Sequence, residues 1–173
     1  MMYARVFQSV VFRPLNWCCK STGVWALGVT LCLFGLTFLI LTPVYDTNDD
    51  PSMALVASGY GNVGGADEHL LYSNVLIGIV LKRLYEAAPL VPWYGSYLLL
   101  IQFLVHWVLL YVLLLLNRNY VSVLVYCLFY LVVGVYCLTH LQFTTTAFLA
   151  GMAGLSMILA SIMLDAQRLH CGW

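Results

Sequence analysis

The stretch Gly95–Leu116, GSYLLLIQFLVHWVLLYVLLLL, contains no charged side chain and decides the fold. A helix of about 20 apolar residues is long enough to cross a hydrocarbon core about 30 Å thick. Three further runs have the same character: Val24–Thr42, Tyr120–Leu138 and Thr144–Leu164. All four runs are continuously apolar and do not alternate with a period of two, which excludes a β-barrel. We therefore predict an all-α integral membrane protein with four transmembrane helices.

The composition agrees with a chain that lies in lipid. Hydrophobic residues make up 63% of the sequence and charged residues only 8%, whereas soluble domains contain about 45–50% apolar residues. The formal net charge is zero, and no basic run interleaved with aromatic residues occurs. We therefore expect the lipid bilayer as surroundings and no nucleic acid as a partner.

Positive charge predicts the orientation. The predicted segments are an N-terminal cytoplasmic or interfacial segment at 1–23, spans at 24–42, 95–116, 120–138 and 144–164, an exoplasmic loop at 43–94 and a cytoplasmic tail at 165–173. We interpret the first span as an uncleaved signal anchor because its apolar run exceeds the roughly 7–15 residues of a signal peptide. Five basic residues then lie on the cytoplasmic side and two, Lys82 and Arg83, outside. Both termini are predicted to be cytoplasmic, with Met1–Trp17 along the interface.

The six cysteines are predicted to be free thiols. None of them lies in the exoplasmic loop, and no CxxC or Cys/His pattern with metal-ligand spacing is present. The vicinal pair Cys18-Cys19 is open to two interpretations, lipidation or interfacial filling.

The exoplasmic loop carries the punctuation of two juxtamembrane helices. Asn48, Asp49 and Asp50 are N-cap candidates ahead of a short helix from Pro51 to about Ser58. A longer helix is predicted to open at Asp67-Glu68 and to end at Pro89, lying on the membrane surface.

Three acids, Asp46, Asp49 and Asp50, fall within five residues. Capping of a helix explains one of them but not all three, because adjacent carboxylates repel unless a cation or a hydrogen-bond donor relieves them. Solvated caps and a functional carboxylate both remain open on spacing alone.

The run TNDDPSMALVASGYGNVGGADEHLLYSNVLIGIVLKRLYEAAPLVPWYG, together with HLQFTTTAFLAG from His140 to Gly151, resembles bacterial multi-pass glycosyltransferases of the GT-C type. The resemblance covers roughly Asp46 to Gly151, with an Asn-Asp-Asp after the first span. It implies a bacterial cytoplasmic membrane and transfer of a sugar from a polyprenyl-phosphate donor on the outer face. Because the module of that type has more spans than this sequence, we expect the N-terminal half of such an enzyme.

The resemblance also implies roles for particular residues. Asp49 and Asp50 occupy the place of the catalytic base, and together they are the candidates for holding a divalent metal. The residues expected to bind substrate or phosphate are Lys82, Arg83, His69 and His140. For His69 the solvated start of a helix is the favoured interpretation, and His140 also fits a short polar turn between two spans.

Two polar residues, Gln102 and His106, stand one turn apart in the second span. A polar pair at that depth faces the bundle interior, and interhelical hydrogen bonding is its usual role. Axial ligation of a haem or chlorophyll by His106 is the alternative interpretation, and it requires a pocket of small residues.

The fourth span carries a small-residue stripe, Ala147, Gly151 and Gly154, which permits close approach of another helix. That helix would come from the same chain or from another membrane subunit. Two functions therefore stay open: a GT-C-like glycosyltransferase that uses a lipid-linked sugar, or a non-catalytic accessory subunit of a larger membrane complex such as an energy-transducing, photosynthetic or transport assembly.

Overall fold

A computed structural model describes residues 19–46, 48–61 and 64–171, with side chains from residue 22 to residue 166. The elements are α1 (Cys19–Ile40), β1 (Val44–Tyr45), α2 (Asp49–Ser58), α3 (Val75–Ala87), α4 (Trp93–Leu116), α5 (Tyr120–Phe129), a π-helical turn (Tyr130–Gly134), α6 (Val135–Thr139), β2 (His140–Leu141) and α7 (Phe143–Cys171). The predicted segment Met1–Trp17 and the cysteines Cys18, Cys19 and Cys171 lie outside the residues whose side chains are described.

Four helical segments are long and apolar enough to cross a membrane: Thr22–Ile40, Trp93–Leu116, Tyr120–Thr139 and Phe143–Ala166. The prediction of an all-α membrane protein with four spans is thereby confirmed, and each predicted span differs from the observed one by a few residues. Most residues on each span are not buried within the bundle, as expected for helices in contact with lipid. Within the described spans the thiols of Cys32, Cys127 and Cys137 are free, as predicted.

Helix α4 is the centre of the bundle and packs along α1 on one side and α7 on the other. Its Leu98 and Leu110 are fully buried. Against α1, the indole N–H of Trp107 donates to the carbonyl of Gly23 at 3.0 Å. These contacts make α4 the rigid element to which the rest of the fold is attached.

The third span is interrupted by the π-helical turn. This wider turn brings the hydroxyl of Tyr130 within 2.8 Å of the hydroxyl of Thr37 on α1. Gly134 at its end lies directly against the ring of His106, because a Cβ atom built on Gly134 would lie only 2.9 Å from Cε1 of that ring. The insertion of an extra residue into the turn therefore serves close packing between spans.

The segments between the spans gather at one end of the bundle, which we call the loop end: β1, α2, α3 and β2. β1 pairs in parallel with β2, so that Val44 faces His140 and Tyr45 faces Leu141. The backbone N–H of Asp46 extends the pairing by donating to the carbonyl of Leu141 at 3.0 Å. The loop after the first span is thus fastened to the turn between the third and fourth spans.

The longer juxtamembrane helix begins later than predicted, at Val75 instead of Asp67. The carboxylate of Asp67 accepts from the backbone N–H of His69 and stabilises a turn, while Asn74 caps the helix by accepting from the N–H of Leu76 at 2.9 Å. The shorter helix begins at Asp49, two residues before the predicted start, and ends at Gly59, whose positive φ of 73° favours glycine.

Candidate active site at the loop end

Asp50 is the most deeply buried acid among the described residues, with 1% of its surface exposed. Its carboxylate accepts a hydrogen bond from the hydroxyl of Tyr94 on α4 at 2.9 Å. It also accepts from the backbone N–H of Phe143, the first residue of α7, at 3.0 Å. One side chain of α2 therefore joins the starts of two transmembrane helices, and it satisfies an N–H group that a helix start otherwise leaves without a partner.

Asp49 has the opposite surroundings, because it is exposed in the first turn of α2. A carboxylate at this place is stabilised by the positive end of the helix dipole. The predicted capping differs from the observed one, since the N-cap residue Asn48 forms no side-chain capping bond. Asp50 instead caps α7 in another part of the chain, because its helix turns it inward toward Tyr94.

Tyr94, which binds the buried carboxylate, itself packs against two further tyrosines. The hydroxyl of Tyr85 accepts from the backbone N–H of Tyr94 at 3.1 Å, and the ring centroid of Tyr45 lies 6.0 Å from that of Tyr94. Burial, followed by the nearby Tyr85 and Asp50, raises the pKa of Tyr45 to about 12. The phenol of Tyr45 is therefore neutral at physiological pH and is a hydrogen-bonding group, not an anion.

His140 lies at the same end of the bundle as the two aspartates. It is half-buried in β2, its ring stacks on Tyr136 with centroids 4.7 Å apart, and its Nδ1 is 3.0 Å from the hydroxyl of Thr139. Phe143, three residues later, donates to Asp50. The structure therefore brings the acidic start of α2 and the segment that begins at His140 to the same place.

The predicted cations are paired with other acids of the same loop. The ammonium of Lys82 lies 2.6 Å from a carboxylate oxygen of Glu68, and the guanidinium of Arg83 lies 3.0 Å from Glu86. The Glu68 carboxylate raises the pKa of Lys82, and the hydrogen bond from Lys82 lowers the pKa of Glu68. Neither cation forms an ion pair with Asp49.

His69 joins Asp67 and Glu68, not the pair Asp49 and Asp50. Its Nδ1 lies 2.8 Å from a carboxylate oxygen of Asp67. The hydrogen bonds from the backbone and the ring of His69 lower the pKa of Asp67. The ligand atoms of Asp67, Glu68 and His69 lie within 4.8 Å of one another. Among the described residues, this is the group that brings three possible metal ligands close together. All three are partly or fully exposed, as a solvated turn requires.

The segment that carries these acids is fastened to both juxtamembrane helices. The N–H of Asp67 donates to the carbonyl of Val56 at 3.0 Å. A Cβ atom on Gly59 would lie 2.3 Å from the backbone of Ala66, and one on Gly78 would meet the carbonyl of Glu68. We call residues 64–73 the strap. Val56 is seven residues from Asp49, or about 10 Å along α2, so the strap lies at the opposite end of that helix.

The polar pair within the membrane forms interhelical hydrogen bonds, as predicted. The amide of Gln102 donates to the carbonyl of Cys137 at 2.9 Å and to the hydroxyl of Thr146 at 3.0 Å. The hydroxyl of Tyr126 donates to the carbonyl of His106 at 3.1 Å. Gln102 and His106 are both fully buried. They connect α4 with the third and fourth spans.

The surroundings of His106 do not fit a haem or chlorophyll. Aromatic rings enclose the imidazole, with centroids between 5.2 and 6.3 Å from its own: those of Phe34, Tyr126, Phe129 and Tyr130. Gly134 also touches the ring. A macrocycle would have to displace these groups, so interhelical packing accounts for the residue.

The small-residue stripe of the fourth span faces away from the described bundle. Ala147, Gly151 and Gly154 are exposed, whereas Leu149 and Ala153 on the neighbouring stripe are buried. A Cβ atom on either glycine would have no neighbour within 4 Å. No described helix of this chain packs on the stripe.

Sequence reasoning did not identify Tyr94, Tyr45 or the N–H of Phe143 as parts of the site. Nothing in the spacing of Tyr94 points to Asp50. The helix period does place Asp50, Met53 and Ala57 on one face, and these are the buried residues of α2. That period is the signal by which the two aspartates could have been distinguished.

The fold and the site define an integral membrane protein of the all-α class with a polar cluster at the loop end. Comparison of the chain with family models, with curated protein sequences and with solved structures finds no match.

Proposed function

We propose that this chain is a GT-C-like membrane protein that acts in the transfer of a sugar from a polyprenyl-phosphate donor, with Asp49 as the catalytic base and Asp50 as its positioning residue. The contrast between two adjacent acids is the observation that carries the proposal: one is exposed at a helix start, and the other is buried and joined to two spans. Two juxtamembrane helices between the first and second spans, with acids at the start of the first helix, are the arrangement that the resemblance implies.

The chemistry requires a carboxylate that reaches an acceptor hydroxyl. The hydroxyl oxygen attacks the anomeric carbon of the lipid-linked sugar, the bond from that carbon to the phosphate oxygen breaks, and the hydroxyl proton passes to the carboxylate of Asp49. Asp49 is suited to this step because it is accessible from the aqueous face. Asp50 already accepts two hydrogen bonds, so it holds the first turn of α2 in place.

The leaving phosphate needs a cation to neutralise its charge. Lys82 is bound to Glu68 at the far end of α2. We therefore assign this role to a divalent metal or to a cation contributed by a partner or by spans beyond the four described. His140 lies at the same end of the bundle as Asp49 and is the candidate among the described residues for a hydrogen bond to the phosphate or the acceptor.

The test is sugar transfer from a radiolabelled polyprenyl-phosphate donor, in membranes containing the chain with the subunits that co-purify with it. Asp49→Asn should abolish transfer and leave the melting temperature unchanged. Asp50→Asn should lower the rate and the melting temperature together. Glu86→Gln, a carboxylate of the same loop end outside the site, is the matched control. Transfer at the wild-type rate by Asp49→Asn would exclude the assigned base.

An accessory role in a larger membrane assembly is the second candidate function. It is favoured by the exposed stripe of Ala147, Gly151 and Gly154. This role predicts stoichiometric co-purification of other membrane subunits in mild detergent, and Gly151→Leu should release them because a large side chain prevents close helix approach. Leu155→Ile, on the exposed surface of the same helix, is the control. A monomer that transfers sugar by itself would contradict the accessory role.

A further inference from the structure

A cleft with a volume of about 440 Å³ separates the juxtamembrane helix α3 from the first two turns of α4. Leu76, Val80 and Leu81 line it on one side, and Trp93, Tyr97 and Leu100 line it on the other. Leu81 is 2% exposed and forms the floor, whereas Leu76 and Val80 are 70% and 58% exposed at the rim. The cleft is therefore an open apolar channel and not a gap within the core.

The walls of the cleft are fixed in position. The indole N–H of Trp93 donates to the carbonyl of Ala88 at 3.0 Å, which holds the corner between the two helices. From Trp93 to Leu100 the span rises by about 10 Å, so the cleft covers the outer part of the hydrocarbon region and the interface above it. Tryptophan and tyrosine are the residues favoured at that depth.

Arg83 on α3 stands beside the rim of the cleft and is not one of the residues that line it. Arg83 follows Val80 by one helical turn, and its side chain is 78% exposed. Its bond to Glu86 uses one of the five N–H donors of the guanidinium. Lys82, by contrast, lies on the opposite face of α3, where it pairs with Glu68. An exposed guanidinium thus stands one helical turn along α3 from the rim of an apolar channel.

We propose that this cleft binds one acyl chain of an anionic phospholipid, with the lipid phosphate against Arg83. The bilayer already surrounds the spanning helices, and the cleft continues that lipid-facing surface. Phosphate and guanidinium form charge-assisted hydrogen bonds with matched geometry, so an anionic headgroup is retained in preference to a neutral one. The site lies outside the proposed catalytic group, and its test is independent of sugar transfer.

The experiment uses the full chain reconstituted in vesicles that contain phosphatidylcholine and phosphatidylglycerol, one of the two carrying a photoreactive group in its acyl chain. Crosslinked peptides are identified by mass spectrometry. We expect labelling to concentrate on α3 and the first two turns of α4, and to be stronger for phosphatidylglycerol. Arg83→Gln should lower phosphatidylglycerol labelling about ten-fold, to the level of phosphatidylcholine, because a charge-assisted bond is lost.

A second set of variants fills the cleft with a large side chain. Val80→Trp and, independently, Leu76→Trp should abolish labelling there with either lipid, while labelling of α7 persists. Met152→Trp, on the exposed face of α7, should leave labelling of the cleft unchanged. Uniform labelling of all four spans would overturn the proposal, as would a phosphatidylglycerol preference that survives Arg83→Gln. Displacement of the label by polyprenyl phosphate but not by excess phosphatidylglycerol would assign the cleft to another lipid and equally overturn it.

Discussion

At the scale of single residues, Asp49 and Asp50 show how one helical step separates two chemically identical groups. A step of about 100° around the helix axis places one carboxylate in solvent and the other against α4. A buried carboxylate is tolerated only where donors replace the water it has lost. Tyr94 and the N–H of Phe143 supply those donors.

Replacing Asp50 should therefore destabilise the protein much more than replacing Asp49. Asp50→Ala leaves a buried hydroxyl and a buried N–H without an acceptor, which costs about 1–3 kcal/mol for each group. Tyr94→Phe removes one bond and should cost less. Asp49→Ala should change the free energy of unfolding by no more than about 0.5 kcal/mol. Thermal unfolding in detergent measures all three, and an Asp50→Ala variant as stable as Asp49→Ala would contradict the role of the buried carboxylate.

The partners of Asp50 could not be predicted from the sequence because they are distant along the chain. Tyr94 is 44 residues away and Phe143 is 93 residues away. Local spacing shows only that two acids stand at a helix start. Solvated capping residues and a functional carboxylate both fit that observation. The burial of Gln102 and His106 was predictable, because a polar side chain within a long apolar span has few stable places other than the bundle interior.

At the scale of elements, the strap depends on charge to remain against α2 and α3. Its Glu68 pairs with Lys82, and its Asp67 accepts hydrogen bonds from His69. Both carboxyl groups have a pKa below their ordinary values. The stability that they contribute is present at pH 7 and is lost as the pH falls through their lowered pKa values.

We therefore expect the strap to loosen below about pH 4, the ordinary range of these carboxyl groups. Hydrogen exchange of residues 64–73 should accelerate between pH 6 and pH 3, after correction for the intrinsic pH dependence of exchange, while that of α4 remains slow. Glu68→Gln should show the faster exchange already at pH 7, and Glu86→Gln should not. A strap whose corrected exchange is the same at both pH values would contradict a role for the ion pair.

Elements with one strong signal were predicted well, and those with competing signals were not. The spans follow from continuous apolar runs, for which no other stable arrangement exists in lipid. The start of α3 did not follow, because Asp67-Glu68 resembles a helix N-terminus as closely as Asn74 does. The tertiary contacts of the strap decide between them, since a helical Glu68 could not place its carbonyl against Gly78.

At the scale of the whole molecule, the even number of described spans determines which segments share a face of the membrane. The chain before the first span and the chain after the fourth lie on one face, and the loop end lies on the other. In a background without native cysteines, Tyr60→Cys and Asp165→Cys should react with a membrane-impermeant thiol reagent from opposite sides. Both positions are exposed, so accessibility does not limit the reaction. In sealed vesicles of uniform orientation, labelling of both positions from one side would contradict the four-span arrangement.

The parallel pairing of β1 with β2 has a consequence for how the chain is made. The loop that holds Asp50 leaves the translocon long before its partner strand and Phe143 exist. At a synthesis rate of about 5–20 residues per second, the interval for 93 residues is roughly 5–20 s. During that time the carboxylate is hydrated, and it enters the bundle only when the fourth span has been released into lipid. The closing of the loop end thus reports that the fourth span has been inserted, and a nascent chain arrested before that span would present an open loop to membrane proteases.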